Sequence, residues 1–291
     1  MYSNIKANKR NTVLIIMVFL LVGGAISSLI GYYAQNYAMA LCVMAGFVFY
    51  ALMQYFTASR TAMLVCGGRE IVKKDCPELW RVVENLCIAS GLPMPRIFII
   101  DDDAPNAFAT GRNPQHAYVA VTTGLLAIMD KRELEAVMSH ELSHIQNYDI
   151  RISMIVFGLS SAIAMLCDLI YYFYRGNRDD RDNDRSGIGA ILVIISIVAP
   201  IIVVLLQLAV SRQREYLADA SGALMTRDPE GLASALEKLK ANGKPMRRQR
   251  SGLAPLYFNN PSKPTLWDKI LQTHPPLDER IARLRSSIEK M

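Results

Sequence analysis

His140-Glu141-Leu142-Ser143-His144 uses two of the four histidines in a chain of 291 residues. Positions four apart stand on one helical face, so two neutral imidazoles one turn apart can reach a single Zn2+ at about 2.0–2.1 Å. Glu141, about 100° round the helix, is then placed to act as a base towards water at the metal. The bland alternative is two His and a Glu on a solvated helix face. With histidine this scarce, chance assembly of H-E-x-x-H is rare, and the pattern reads as a catalytic zinc site.

Such a site takes a third protein ligand and leaves one position open. An extended motif with Gly three and His six residues after the second His is excluded, because Asn147 and Ile150 stand there. His116, His274 and Glu215 remain. Glu215, in SRQREYLADASG, is the strongest, since Asp219 follows one turn later and can accept the Nδ1–H of a ligand His, fixing its tautomer and raising its basicity. The competing reading makes Glu215, flanked by Arg212 and Arg214, half of a surface ion pair. His274, before two prolines, is a candidate displaceable fourth ligand or a hydrogen-bond donor to a tetrahedral oxyanion, or else a plain surface-turn residue. Asn106 and Ala107, in NAFATG, fit a segment where an extended peptide adds by main-chain hydrogen bonds. The plain reading of Asn106 is a turn residue after Pro105.

The elements that must position these residues are legible in outline. Asp130 and Glu133 form a capping box that opens a helix through Leu134, Val137, Met138, Leu142 and Ile145, carrying the motif. Leu79, Val82, Val83 and Leu86, with Gly91 as the stop, predict an amphipathic helix. RIFII (96–100) and AYVAVT (117–122) read as strands of a small sheet, with a loop-like NAFATGRNPQ between them. A helix over 212–225 and another from Asp228-Pro229 follow. Lys240 to Ser262 reads as a basic surface loop, whose Lys244, Arg247, Arg248 and Arg250 either touch anionic headgroups or are simply solvated.

The composition is 52% hydrophobic and 20% charged, against roughly 45–50% and 25% in soluble domains. The excess is gathered in four blocks: Asn11–Tyr33, Tyr37–Phe56, Ile152–Tyr174 and Ile188–Val210. At about 1.5 Å per residue each is long enough for a ~30 Å hydrocarbon core. A signal peptide is the lesser reading of the first, because the apolar stretch is too long and ends in an interfacial Tyr32-Tyr33 pair. Asp168 and Pro200 leave room for the last two blocks to be long buried helices instead of spans. Lys and Arg flank every block on one side, which places both termini and residues 57–151 in the cytoplasm. The organisation is therefore a transmembrane hairpin over 1–56, a first catalytic part over 57–151, a second apolar hairpin over 152–210 and a second catalytic part over 211–291. Membrane orientation accounts for the net charge of +6, and no aromatic-basic motif supports nucleic-acid binding. Five cysteines without a C-x-x-C pair read as reduced structural thiols.

SHELSHIQNYD, the E-Y-L-A-D run, NAFATG, VTTGLL and the late T-H-P-P-L-D-E-R-I together resemble the HtpX family of bacterial membrane-embedded zinc metalloproteases, related to the eukaryotic CAAX-processing Ste24 enzymes. The resemblance covers nearly the whole chain. It implies an α+β fold, mostly helical with a small sheet and of gluzincin type, in an integral protein of the bacterial plasma membrane. It further implies a cytoplasm-facing site in which His140, His144 and Glu215 carry zinc, Glu141 is the base and Asp219 supports a ligand. The activity implied is cleavage of misfolded or damaged membrane proteins under stress. The rival class is a membrane-bound, chaperone-like client holder with structural zinc, disfavoured by the open metal position and by Glu141, since structural zinc is closed by four protein ligands. A dedicated prenyl-protein processor would need a larger membrane chamber than two or four spans enclose.

Overall fold

The computed structural model describes residues 2–33, 35–155, 212–244, 246 and 275–288. The apolar blocks beyond residue 155, Arg247, Arg248, Arg250 and His274 lie outside the described residues. The described chain is mostly helical, with one four-stranded mixed sheet.

Helices α1 (Tyr2–Tyr33) and α2 (Tyr37–Cys66) form a hairpin. Gln35 turns at φ 50°, and the Asn36 side chain caps α2 by accepting the Met39 N–H at 3.2 Å. Both helices are long and apolar enough to cross a membrane. Leu21, Leu41 and Phe49 stand exposed along them, an arrangement that hydrocarbon stabilises and water does not. Helix α2 does not stop at Phe56, where the apolar run ends. It continues because nothing breaks it, and its last turns bury Ala58, Ala62, Met63 and Cys66 in one cluster with Phe98, Ile100, Phe108 and Ala120 of the sheet.

The sheet has the order β1 (Gly68–Glu70), β2 (Arg96–Ile100), β4 (Ala117–Thr122), β3 (Ala107–Gly111), with β2 and β4 parallel and the outer pairs antiparallel. Strand β3 corrects the loop-like reading of NAFATG: Ala107 pairs with Val121 and Gly111 with Ala117. All five residues are buried. A strand covered on both faces shows no apolar–polar alternation, which is why it is silent in the sequence pattern.

Helix α3 (Pro77–Ser90) buries the apolar set expected of it and ends at Gly91, at φ 67°. The short α4 (Thr123–Ile128) leads into α5 (Lys131–Gln146), which carries the H-E-x-x-H run. The capping box is formed: Asp130 Oδ1 accepts the Glu133 N–H and Glu133 Oε2 accepts the Asp130 N–H, both at 2.9 Å. Glu133 also accepts from Ser234 Oγ at 2.7 Å and Lys238 Nζ at 2.6 Å, tying the start of α5 to α7 (Pro229–Ala241). Helix α5 is central, packed by α3, α7, β3 and α6 (Arg212–Thr226), while α8 (Leu277–Ile288) lies on α6 and α7. Buried Leu134, Val137, Met138, Leu142 and Ile145 place it in the main core.

Candidate metal centre

One close approach builds the site. A Cβ on Gly222 would stand 3.0 Å from the His140 backbone nitrogen and 3.0 Å from Ser139 Oγ, so a side chain here would push α6 away from the α5 backbone by a few tenths of an ångström. Ser139 Oγ bridges the helices, donating to Ala136 O at 2.7 Å and lying 3.2 Å from Gly222 O. Asp219 and Glu215 share the Gly222 face one and two turns earlier and are thereby delivered to the two histidines.

The Nε2 atoms of His140 and His144 face each other at 3.1 Å. Glu215 Oε2 is 3.8 Å from the first and Oε1 3.6 Å from the second, and the donor atoms of all three residues lie within 4.8 Å of one another. Each ring is held from behind: His140 Nδ1 is 2.9 Å from Asp219 Oδ1, and His144 Nδ1 is 2.9 Å from Asp149 Oδ2. With both Nδ1–H groups committed to carboxylates, both Nε2 lone pairs and the Glu215 carboxylate converge on one point. That donor set fits a divalent cation of nitrogen and oxygen preference.

The same convergence shows in the proton affinities. Burial opposes charge on His144, but the Asp149 hydrogen bond and the charges of Glu215, Asp149 and Glu141 outweigh it and push the ring up to about 9. Burial dominates at His140, which falls to about 4 with the positive charges of His144 and Arg280 adding to it. Glu141, 3% exposed, is pushed up to about 7, by burial first and by the Glu215 charge, while His144, the Ala109 N–H and Arg280 pull the other way.

Three participants escape a reading of the sequence. Asp149 follows Tyr148, whose φ of 62° reverses the chain and returns the carboxylate to His144; its signal is an acid in the turn after the motif. Arg280 on α8 is fully buried and grips Asp219 with two bonds, of 2.8 and 2.6 Å, with Nη1 3.7 Å from Glu215. It stands in the late D-E-R-I run, where only position in space gives it a role. Ala109 supplies its backbone N–H to Glu141.

The other candidates fall elsewhere. His116 sits in a 3-10 turn, Pro114–His116, with Nδ1 2.8 Å from Asn113 Oδ1, away from the metal group. Asn106 and Ala107 are buried at 2% and 0% exposure. The Asn106 backbone is pinned to Thr122, its N–H donating to Oγ1 at 2.9 Å and its carbonyl accepting from Thr122 N at 3.0 Å, and its side-chain Oδ1 accepts the Ala107 N–H at 3.0 Å.

Two histidines and one carboxylate placed to hold a metal ion, on a helix-rich scaffold, fit a metallopeptidase. Residues 73–288 match peptidase family M48, and the chain belongs to that family of metallopeptidases. Among curated proteins it is 50% identical over 287 residues to a protease HtpX homolog of Tropheryma whipplei (strain TW08/27), covering 98% of each chain. It is 41% identical over 296 residues to a protease HtpX homolog of Streptococcus gordonii, covering 98% of this chain and 99% of the relative. The fold is similar to that of the crystal structure of S. mikatae Ste24p, with a TM-score of 0.54, 20% identity, and coverage of 96% of this chain and 66% of that one.

Proposed function

We propose that the protein is a zinc-dependent endopeptidase of gluzincin type, embedded in the bacterial plasma membrane with its site facing the cytoplasm, where it cleaves misfolded or damaged membrane proteins. The observation that carries this reading is the facing pair of Nε2 atoms at 3.1 Å, each ring backed by a carboxylate, with Glu215 beside both.

His140, His144 and Glu215 would hold the ion. When bound, zinc supplies a Lewis acid that brings the pKa of water from 15.7 to about 7. Glu141 takes the proton of the attacking water and returns it to the leaving amine, work suited to a carboxylate whose own pKa is lifted to about 7 by burial. Peptide would lie along β3, an edge of the sheet, by main-chain pairing that leaves side-chain preference weak. Antiparallel pairing turns the main chain of Asn106, Phe108 and Thr110 towards β4 and leaves the carbonyls of Ala107 and Ala109 for the peptide, their N–H groups being taken by Asn106 Oδ1 and Glu141. Asn106 then works from behind, holding the strand to Thr122, and Ala109 marks where the edge meets Glu141. Among the described residues three protein donors converge, which favours this reading over a client holder with structural zinc, which closes with four.

The test uses the purified full chain in detergent, with metal content and casein cleavage followed through chelation and zinc return. Cleavage lost with zinc and restored by it supports the proposal; cleavage indifferent to chelation refutes it. In intact cells, a thiol reagent that cannot cross the membrane should leave the half-buried Cys76 unlabelled yet label a cysteine placed at Asn183. Ready labelling of Cys76 would reverse the orientation.

A further inference from the structure

The far carboxylate oxygen of Asp149 is held by the membrane-leading helix. Asn8 on α1 is 6% exposed, and its Nδ2 donates to Asp149 Oδ1 at 2.7 Å and to the Asn147 carbonyl at 2.8 Å. The other oxygen, Oδ2, receives the His144 Nδ1–H. Lys9 docks beside this contact, with Nζ 4.7 Å from the centroid of the Tyr148 ring. One hydrogen-bonded chain therefore runs from α1 through Asn8 and Asp149 to a residue of the metal group.

We propose that Asn8 is a positioning residue of the metal centre, acting through Asp149 to aim the His144 ring. The proposal rests on the reading of His140, His144 and Glu215 as metal ligands. A carboxylate on a turn can rotate about its last bond, and a donor fixed on one oxygen presents the other to the imidazole. A neutral amide suits this task because it leaves the Asp149 charge to His144. The contact also spans the sequence: Asn8 and Asp149 are 141 residues apart, and Asn8 lies just before the uncharged run of the first apolar helix. A lost outer partner costs a metal site about 10–100-fold in affinity, and a group one bond further out should cost about 3–10-fold.

The experiment is a zinc dissociation constant, from competition with a chelating dye, on the full chain in detergent for wild type, Asn8→Ala, Asn8→Asp, Lys9→Ala, Asp149→Asn and the double variant Asn8→Ala/Asp149→Asn. Asn8→Ala should weaken zinc by about 3–10-fold, and Asn8→Asp, nearly equal in size but set against the Asp149 carboxylate, should weaken it further. Lys9→Ala should bind as wild type, and adding Asn8→Ala to Asp149→Asn should cost nothing more, because the residue acts through that carboxylate. Wild-type affinity in both Asn8 variants overturns the inference alone. So does an equal loss in Lys9→Ala, or an Asn8→Ala loss that persists on the Asp149→Asn background, since both belong to helix docking and not to ring orientation. Absence of zinc from wild type overturns the metal reading and this inference together.

Discussion

The two histidines of α5 have the same need, a carboxylate on Nδ1 and a lone pair on Nε2, and the molecule meets it in two unlike ways. Behind His140, Asp219 is gripped by the fully buried Arg280 guanidinium of α8. Behind His144, Asp149 sits in a turn and is steadied by the neutral Asn8 of α1. The first support is ionic and deep in the core. The second is formed by the helix that leads into the apolar hairpin. Removing one partner of a buried ion pair strands a charge and costs about 3–5 kcal/mol, whereas a hydrogen bond to a charged group is worth about 1.5–3 kcal/mol. The His140 side should therefore govern whether the fold stands, and the His144 side how well the site is tuned.

The largest effect belongs to the residue both sides share. Glu215→Gln removes the anionic donor, so zinc stoichiometry and casein cleavage should collapse together and resist excess zinc. Retained zinc in that variant would hand the third position to another group.

Next comes Arg280→Leu, which leaves Asp219 buried without its guanidinium and should lower unfolding stability by about 3–5 kcal/mol in urea titrations. A loss no greater than that of Asn8→Ala would erase the contrast between the two supports.

Asp219→Asn and Asp149→Asn should each weaken zinc by about 10–100-fold, with activity largely recovered at excess zinc, as outer partners of metal ligands behave. Chelator competition measures both. If Asp219→Asn loses zinc outright while Glu215→Gln recovers, the two carboxylates of α6 have exchanged roles.

Acid probes the ionic support behind His140. Burial alone would raise Asp219, but the Arg280 charge and the hydrogen bonds of His140 and Arg280 hold it down at about 2. A carboxylate depressed in the fold contributes stability above its ordinary range and loses it as pH falls from about 4 to about 2. Zinc-free wild type should thus lose on the order of 2 kcal/mol across that window relative to Asp219→Asn. Urea unfolding at steps from pH 5 to pH 2 reads the gap directly, and a gap constant with pH would mean that Asp219 carries no charge to lose.

Local rules made the helices legible. The Asp130/Glu133 box, the Gly91 stop and the Asp228-Pro229 start are short-range signals, and the structure forms all three. Strands β2 and β4 showed in their β-branched runs, but β3 hid because Ala107 to Gly111 are covered on both faces and show no alternation. The H-E-x-x-H run and Glu215 stood out by residue type and spacing, and the structure brings them to one point. Asp149, Arg280 and Asn8 did not, because their partners are chosen by tertiary approach: Arg280 meets Asp219 across 61 residues and Asn8 meets Asp149 across 141. Gly222 belongs with them, since only the nearness of the α5 backbone gives a glycine on α6 its purpose.

The central claim is that His140, His144 and Glu215 hold the metal while Glu141 moves the proton. Zinc content and casein cleavage of wild type and Glu141→Gln, measured side by side on the full chain, test it most directly. Glu141→Gln should keep zinc near the wild-type stoichiometry while cleavage falls at least about 10²-fold, because only the proton transfer is removed. Cleavage at the wild-type rate by a zinc-loaded Glu141→Gln protein would contradict it.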